Sequence, residues 1–406
     1  MKPKIRSVIS LLLAIILLNG CGDSAEVNAT ATPTVRPSPV VGTGTGDIKI
    51  GLIGPLTGPN AAYGAAMRRG VLLAIDDIKT SKLLGNRKIA LIERDDRSDP
   101  EAARINFLDL VEKERVVALI GTVNDDVAML QAPLVNQWQI PWIIPIATAH
   151  QLTSNSSPSP NYIFRVAVPD NEQADFMASF VLTKNFARPA LISDNSKASQ
   201  EGRKTLTAAL KKAYIAPVFD EILYPDDKPE EQKTFVTNLK QAYPDLLLLW
   251  GPTQTAGQLL TLLNEQKANF PFLSNENLAV LGFGKQLPET ADNVYMPQTF
   301  VIDNPNDRQQ DFINHYRRYF NTDLLDFPSG LAQSYDAMRM LGEALIQPGA
   351  ADNREILRGS LENLGSYEGL IKVYKQPWKP GSSREALSGQ DLVMTYWKNN
   401  KLVKTS

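Results

Sequence analysis

The sequence predicts an α/β fold of two doubly wound lobes. From Asp47 onward, short apolar runs rich in β-branched residues alternate with stretches of helical periodicity, and the same rhythm restarts after Phe164. The roughly 360 residues that carry this pattern exceed what one core usually sustains, so a second lobe is required. Apolar strands joined through helices mean parallel sheets covered on both faces.

In chain order, the first lobe is expected to supply strands over 48–53, 88–92, 116–120 and, after Pro141, 142–144. Between the first two, Met67, Val71, Ala74, Ile75 and Ile78 fall at i, i+4, i+7, i+8 and i+11, a single apolar stripe on a helix. Asp99-Pro100-Glu101 supplies an N-cap, a first-turn proline and an acid near the positive helix end, and the helix it starts runs on through Leu110. The second lobe is expected to read helix 175–181, strand 189–192, helix 205–214, strand 218–223, helix 235–242 and strand 246–250. Beyond Val294 come helices over 311–319 and 334–345, a segment at 369–374, and a terminal hairpin of 393–397 and 401–403 around Asn399-Asn400. Such a tail would unbalance the second lobe, so the chain is expected to cross back between lobes. The expected division is 47–165 with 296–346 for the first lobe and 166–295 with 347–406 for the second.

Ahead of the folded part, Lys2, Lys4 and Arg6 precede an apolar stretch from Val8 to Leu18. A spanning helix needs about 20 residues, so this stretch is an export signal, expected over 1–20. The run Leu18-Asn19-Gly20-Cys21 carries the sole cysteine and resembles the bacterial lipoprotein box, although Asn19 departs from the usual small or branched residue. The resemblance implies lipidation of Cys21 and a protein anchored on a membrane surface, facing the periplasm or cell exterior. The alternative is an ordinary secretory signal with a free thiol beside it. Residues 21–46 are rich in Ala, Thr, Pro, Gly and Ser and read as a flexible tether, with an r.m.s. reach of roughly 25–30 Å.

Composition narrows the function. With 42 Lys and Arg against 44 Asp and Glu the net charge is −2, which excludes nucleic acid as a general partner. A single cysteine excludes an internal disulfide. The two histidines, His150 and His315, have no cysteine partner and stand far apart in sequence, so neither a zinc site nor a Cys-His nucleophile is expected. The acidic pairs Asp95-Asp96 and Asp226-Asp227 are adjacent in sequence and read as solvated turns and caps, not as a glycosidase pair.

In open α/β sheets, ligands sit beyond the carboxyl ends of the strands, where loops lead into helix N-termini. The loop after the first strand, Gly54-Pro55-Leu56-Thr57-Gly58-Pro59-Asn60-Ala61-Ala62-Tyr63-Gly64, has neither a GxGxxG turn nor a P-loop lysine. Together with Ile48-Lys49-Ile50-Gly51 it resembles the opening of periplasmic solute-binding proteins of the leucine and branched-chain amino-acid family. The likeness continues in order through Asp95-Asp96-Arg97-Ser98-Asp99-Pro100, Ile120-Gly121, Ile140-Pro141, Pro145-Ile146-Ala147-Thr148, Phe164-Arg165 with Pro169-Asp170, and Ser334-Tyr335-Asp336-Ala337. It implies the type 1 periplasmic binding fold: two Rossmann-like lobes, joined by three crossovers, that close on a small solute and deliver it to an ABC permease. No cofactor is implied, and a monomer is expected.

The resemblance carries ligand contacts over unevenly. Tyr63 matches an aromatic against the ligand side chain, Thr148, beside Ile146, a threonine on its polar head, and Glu276 an acid for an ammonium. Where the family has a serine-rich carboxylate cradle, this chain has Asn124-Asp125-Asp126. Family tyrosines fall near Ala198 or Ser199 and near Trp250 or Thr253. Two ionised aspartates in the cleft would repel a ligand carboxylate and favour a neutral, polar or cationic solute; alternatively Asp125 caps the helix beginning near Val127 and turns away. Trp250 is equally open to a role at the strand end or as a buried plug. Tyr335 and Asp336 begin a helix whose Met338, Leu341 and Leu345 look like core. With no nucleophile or tuned acid-base pair, the sequence reads as a non-catalytic solute receptor. A regulator or scaffold of the same fold is the alternative.

Overall fold

The computed structural model describes residues 40–42, 44–153, 161–284, 293–381, 383–399 and 401–405. The expected signal peptide, Cys21 and most of the expected tether lie outside them. In chain order the elements are β1 Ile48–Gly54, α1 Ala61–Thr80, β2 Ile89–Asp95, α2 Pro100–Leu108, β3 Ala118–Ile120, α3 Asp125–Gln137, β4 Trp142–Ile144 and β5 Ile163–Arg165. They continue as α4 Asp170–Thr183, β6 Pro189–Asp194, α5 Lys197–Lys212, β7 Phe219–Leu223, α6 Pro229–Gln241, β8 Leu246–Trp250, α7 Thr253–Glu265, β9 Phe272–Ser274, α8 Leu281–Gly284 and β10 Val294–Gln298. The chain ends with α9 Asp307–Phe320, α10 Pro328–Ala344, α11 Arg354–Glu362, β11 Ser366–Glu368, β12 Val373–Lys375, β13 Val393–Lys398 and β14 Lys401–Lys404.

The first sheet is wholly parallel, in the order β2-β1-β3-β4-β5. Ile48, Ile50 and Leu52 are buried, as a central strand covered by helices requires. Asp99 caps α2 through Ala102 N–H (2.6 Å), and Pro100 fills its first turn. A single π-type turn, Asp109–Lys113, then carries the helix past its expected end at Leu110. The second sheet runs β14-β13-β10-β9-β8-β6-β7, parallel from β7 to β10 and antiparallel where β13 and β14 add to its edge. All five residues of β8, Leu-Leu-Leu-Leu-Trp, are buried.

Against the expected division, the tail splits differently. Residues 347–386 were assigned to the second lobe, but α11 packs on the first: Arg354 donates to Val116 O (2.8 Å), and Ser360 to Ala344 O. The turn between β11 and β12 is held there by Asp336, and Arg165 at the end of β5 pairs with Arg384 and Ala386. Only β13 and β14 reach the second sheet, while residues 296–298 complete β10 there. The chain thus crosses after β5, after β10 and before β13. The tether also ends early, because Val41 N–H donates to Asp352 O (2.8 Å) and Val40 bridges Asn353.

Candidate functional site

The carboxyl ends of β1, β3 and β4 in one sheet and of β6, β8 and β9 in the other feed loops into a shared cavity of about 260 Å³. The first lobe supplies Asn60, Tyr63, Val123, Asn124, Asp125, Asp126 and Thr148; the second supplies Asp194, Ser196, Ala198, Ser199, Trp250, Gly251, Pro252, Asn275 and Asn277. Tyr63, on the first turn of α1, packs edge-on against Phe327 and donates its hydroxyl to Asn277 O (2.8 Å), 3.3 Å from Thr253 Oγ1. Gln254 Nε2 donates to Pro59 O (3.0 Å). These bonds join the lobes directly across the cleft. Burial pushes the Tyr63 phenol above its usual range, so the hydroxyl keeps its proton.

Asp125 lines the cleft, one of the two positions expected for it, and does not cap its own helix. It is the first residue of α3, behind the N-cap residue Asn124, and bonds outside its own helix. Its Oδ1 accepts Thr148 N–H (2.7 Å) and Ala149 N–H (2.9 Å), the two adjacent amides just after β4. Burial raises its carboxyl, opposed by those amides. Asp194 Oδ1 accepts from Ser196 N–H and hydroxyl (2.9 and 2.6 Å), and its Oδ2 from Thr255 (2.6 Å), which orders the entry to α5. Trp250 is both plug and wall: it is 6% exposed, lines the cavity, and its indole lies so close to α5 that a Cβ on Gly202 would fall 1.8 Å from Nε1.

Three of the expected contacts are not in the wall. Ile146 is buried in the core beside Gly330, and Thr253 meets Tyr63 at the edge. Glu276 lies one layer behind, between the lining residues Asn275 and Asn277, and is 1% exposed. Its Oε1 accepts Gln173 Nε2 at 3.4 Å. Its Oε2 has no partner in hydrogen-bonding geometry, and the neighbouring Gln333 donates to Thr299 Oγ1 (3.0 Å). Burial drives this carboxyl up to about 8, partly offset by Gln333 and Gln173 and reinforced by Asp125. Sequence reasoning missed Asn60, Asp194, Ser196, Asn275 and Asn277 as wall residues; the strand-end rule, applied to every strand of the second sheet, reaches the last four.

Elsewhere, Asp96 is fully buried, not solvated: it accepts Ser98 N–H (2.8 Å) and Thr122 Oγ1 (2.8 Å). Asp95 does cap a turn, accepting from Leu56 and Thr57. His150 Nδ1 lies 2.7 Å from Asp170 Oδ1. Among the described residues, no group of three or more His, Cys, Asp or Glu side chains is placed to hold a metal ion, and no helix is long and apolar enough to cross a membrane.

Two largely parallel sheets present strand ends to one cleft, with amides, hydroxyls and carboxylates in its wall, the place where two-lobed α/β folds hold small ligands. The sequence profile of the periplasmic binding protein family matches residues 47–386, and the chain belongs to that family. A Leu/Ile/Val-binding protein of Rhizobium johnstonii is 28% identical over 235 residues, 57% of this chain and 62% of its own length. The Leu/Ile/Val-binding protein of Escherichia coli K12 is 24% identical over 249 residues, 61% and 66% of the two chains. Each match therefore spans less than two thirds of the curated relative. Among solved structures, a branched-chain amino acid transporter substrate-binding protein of Streptococcus pneumoniae in complex with isoleucine superposes with a TM-score of 0.75 at 21% identity, over 88% of this chain and 100% of that one. An ABC transporter solute-binding protein of R. palustris in complex with benzoate gives 0.73 at 20%, over 89% and 96%. The likeness to these two structures is one of fold. The type 1 periplasmic binding fold is the architecture this sequence adopts.

Proposed function

We propose that the protein is an extracytoplasmic solute-binding lipoprotein, anchored through Cys21, that captures a small polar solute between its lobes and delivers it to an ABC importer. The solute is an amino acid or a related amine or amide. The observation that carries this reading is the cavity walled from both lobes at the strand ends, with hydrogen-bonding side chains from each. At about 260 Å³ it is just below the usual range for small-molecule sites, which suits a metabolite of modest size. Relatives that bind Leu, Ile and Val and a structural neighbour that serves an ABC transporter support the class of task.

A second reading, a regulator of the same fold held shut, is favoured by the direct bond from Tyr63 to Asn277 across the cleft. One measurement separates the two. Protein purified from its native host is stripped of bound solute, the released solute is identified by mass spectrometry, and small-angle scattering is recorded with and without it. A receptor compacts on re-addition, whereas an unchanged profile at saturation favours the regulator.

A further inference from the structure

We propose, resting on the receptor reading above, that the cleft accepts a small organic cation carrying no carboxylate, because Asp125 itself occupies the place where a ligand carboxylate would bind. Backbone N–H groups at strand ends are the natural receivers of an anion in such a cleft. Here the converging pair, Thr148 and Ala149, meets at a single point, and that point is Asp125 Oδ1, at 2.7 and 2.9 Å. A ligand carboxylate would have to displace one that is tethered to the chain.

The charge around the cavity points the same way. Among the described residues its wall holds Asp125, Asp126 and Asp194 and no lysine, arginine or histidine. Arg165, which bears on Asp125 from behind, is fully buried and committed to Ala149 O (2.7 Å), Thr153 and Glu385. An anion entering the cleft meets like charge with no exposed cation in the wall to offset it.

Independent of the acidic wall, the layer behind it lacks donors. Glu276 Oε2, Gln173 Oε1 and Gln333 Oε1 are all buried without a hydrogen-bond donor, and the three residues are at most 1% exposed. An ammonium in the cavity would bring three N–H donors and a charge that complements the carboxylates of the wall.

The test is isothermal titration calorimetry of the purified full-length chain with 1,4-diaminobutane and with L-leucine, accompanied by scattering with each. The diamine is expected to bind and leucine to bind about tenfold more weakly or worse, a difference of ~1.4 kcal/mol. Asp125→Ser frees both amides and removes a charge, so leucine should gain about tenfold and the diamine lose about as much. Asp125→Asn leaves an oxygen in the cradle; it should weaken the diamine without admitting leucine, and it keeps the test alive where the serine variant does not fold. Tighter binding of leucine than of the diamine by wild type overturns the ligand class and leaves the receptor reading standing. So does closure on some other solute with no response to the diamine. No binding and no closure with any solute overturns both.

Discussion

Glu276 holds its carboxyl where ionisation is costly, and this has a measurable signature in stability. Burial drives the group from 4.5 up to about 8. The titratable groups that bear on it are Asp125 on α3 and Tyr63 on α1; the amides of Gln173 on α4, Gln298 on β10 and Gln333 on α10 are neutral. A folded-state value above the unfolded one means that the native protein holds the proton more tightly. Stability is therefore full below the unfolded value and falls as pH rises through the window up to about 8. At ~1.4 kcal/mol per unit of displacement, the loss amounts to a few kcal/mol. Glu276→Gln should flatten the urea midpoint between about pH 5 and pH 8 and leave the variant more stable than wild type at the alkaline end. Asp336, raised to about 6, keeps a smaller slope of the same sign in both proteins. Parallel profiles for the two would mean that Glu276 is ionised throughout. The sequence points to Tyr63, Thr148, Ala198, Trp250 and the run Asn124-Asp125-Asp126, which lie at strand ends and helix starts and line the cavity. It could not place the Asp125 carboxylate, because the amides it binds lie 23 and 24 residues further along the chain. Nor does a loop pattern say which of three neighbours, Asn275, Glu276 or Asn277, turns inward.

At the scale of elements, α10 shows how a tail can be legible in type and opaque in placement. Fifteen of its seventeen residues are buried, and the apolar spacing of Met338 and Leu341 marks it as core. Its interior aspartate is the unexpected part. Asp336 reaches out of the helix to accept Leu370 N–H (2.8 Å), Ile371 N–H (3.3 Å) and the Tyr374 hydroxyl (2.8 Å), so that one helix side chain holds the hairpin of β11 and β12. That contact spans 34 to 38 residues, and with the α11 packing it keeps 347–386 on the first lobe. Strand and helix periodicity reports where an element lies, and contacts of this range decide what it joins. Asp336→Ala would leave buried donors without an acceptor, at about 1–3 kcal/mol each where water cannot reach. A loss of roughly 2–4 kcal/mol is expected in urea unfolding, with increased proteolysis between α11 and β13. A loss under about 0.5 kcal/mol, typical of a surface site, would mean that the hairpin docks by its apolar contacts alone.

At the scale of the whole molecule, hydrogen bonds among the described residues join the two lobes across the cleft. Tyr63 to Asn277 O and Gln254 to Pro59 O span the cleft. On the receptor reading, these bonds favour the closed arrangement and add to the closing free energy that a solute supplies. A hydrogen bond of this kind contributes a net ~0.5–1.5 kcal/mol, which shifts a two-state equilibrium by roughly two- to tenfold. Tyr63→Phe retains the ring against Phe327 and removes only the hydroxyl. The ligand-free variant should therefore populate the open form more, with a larger radius of gyration by small-angle scattering, while the solute-saturated variant scatters like wild type. Apparent affinity should fall by the same factor, because binding must now draw from a smaller closed population. Adding Gln254→Ala should enlarge both effects together. Identical ligand-free profiles for wild type and both variants would show that the lobes are held by the crossovers and not by the cleft contacts, and affinity would then be governed by the wall residues alone.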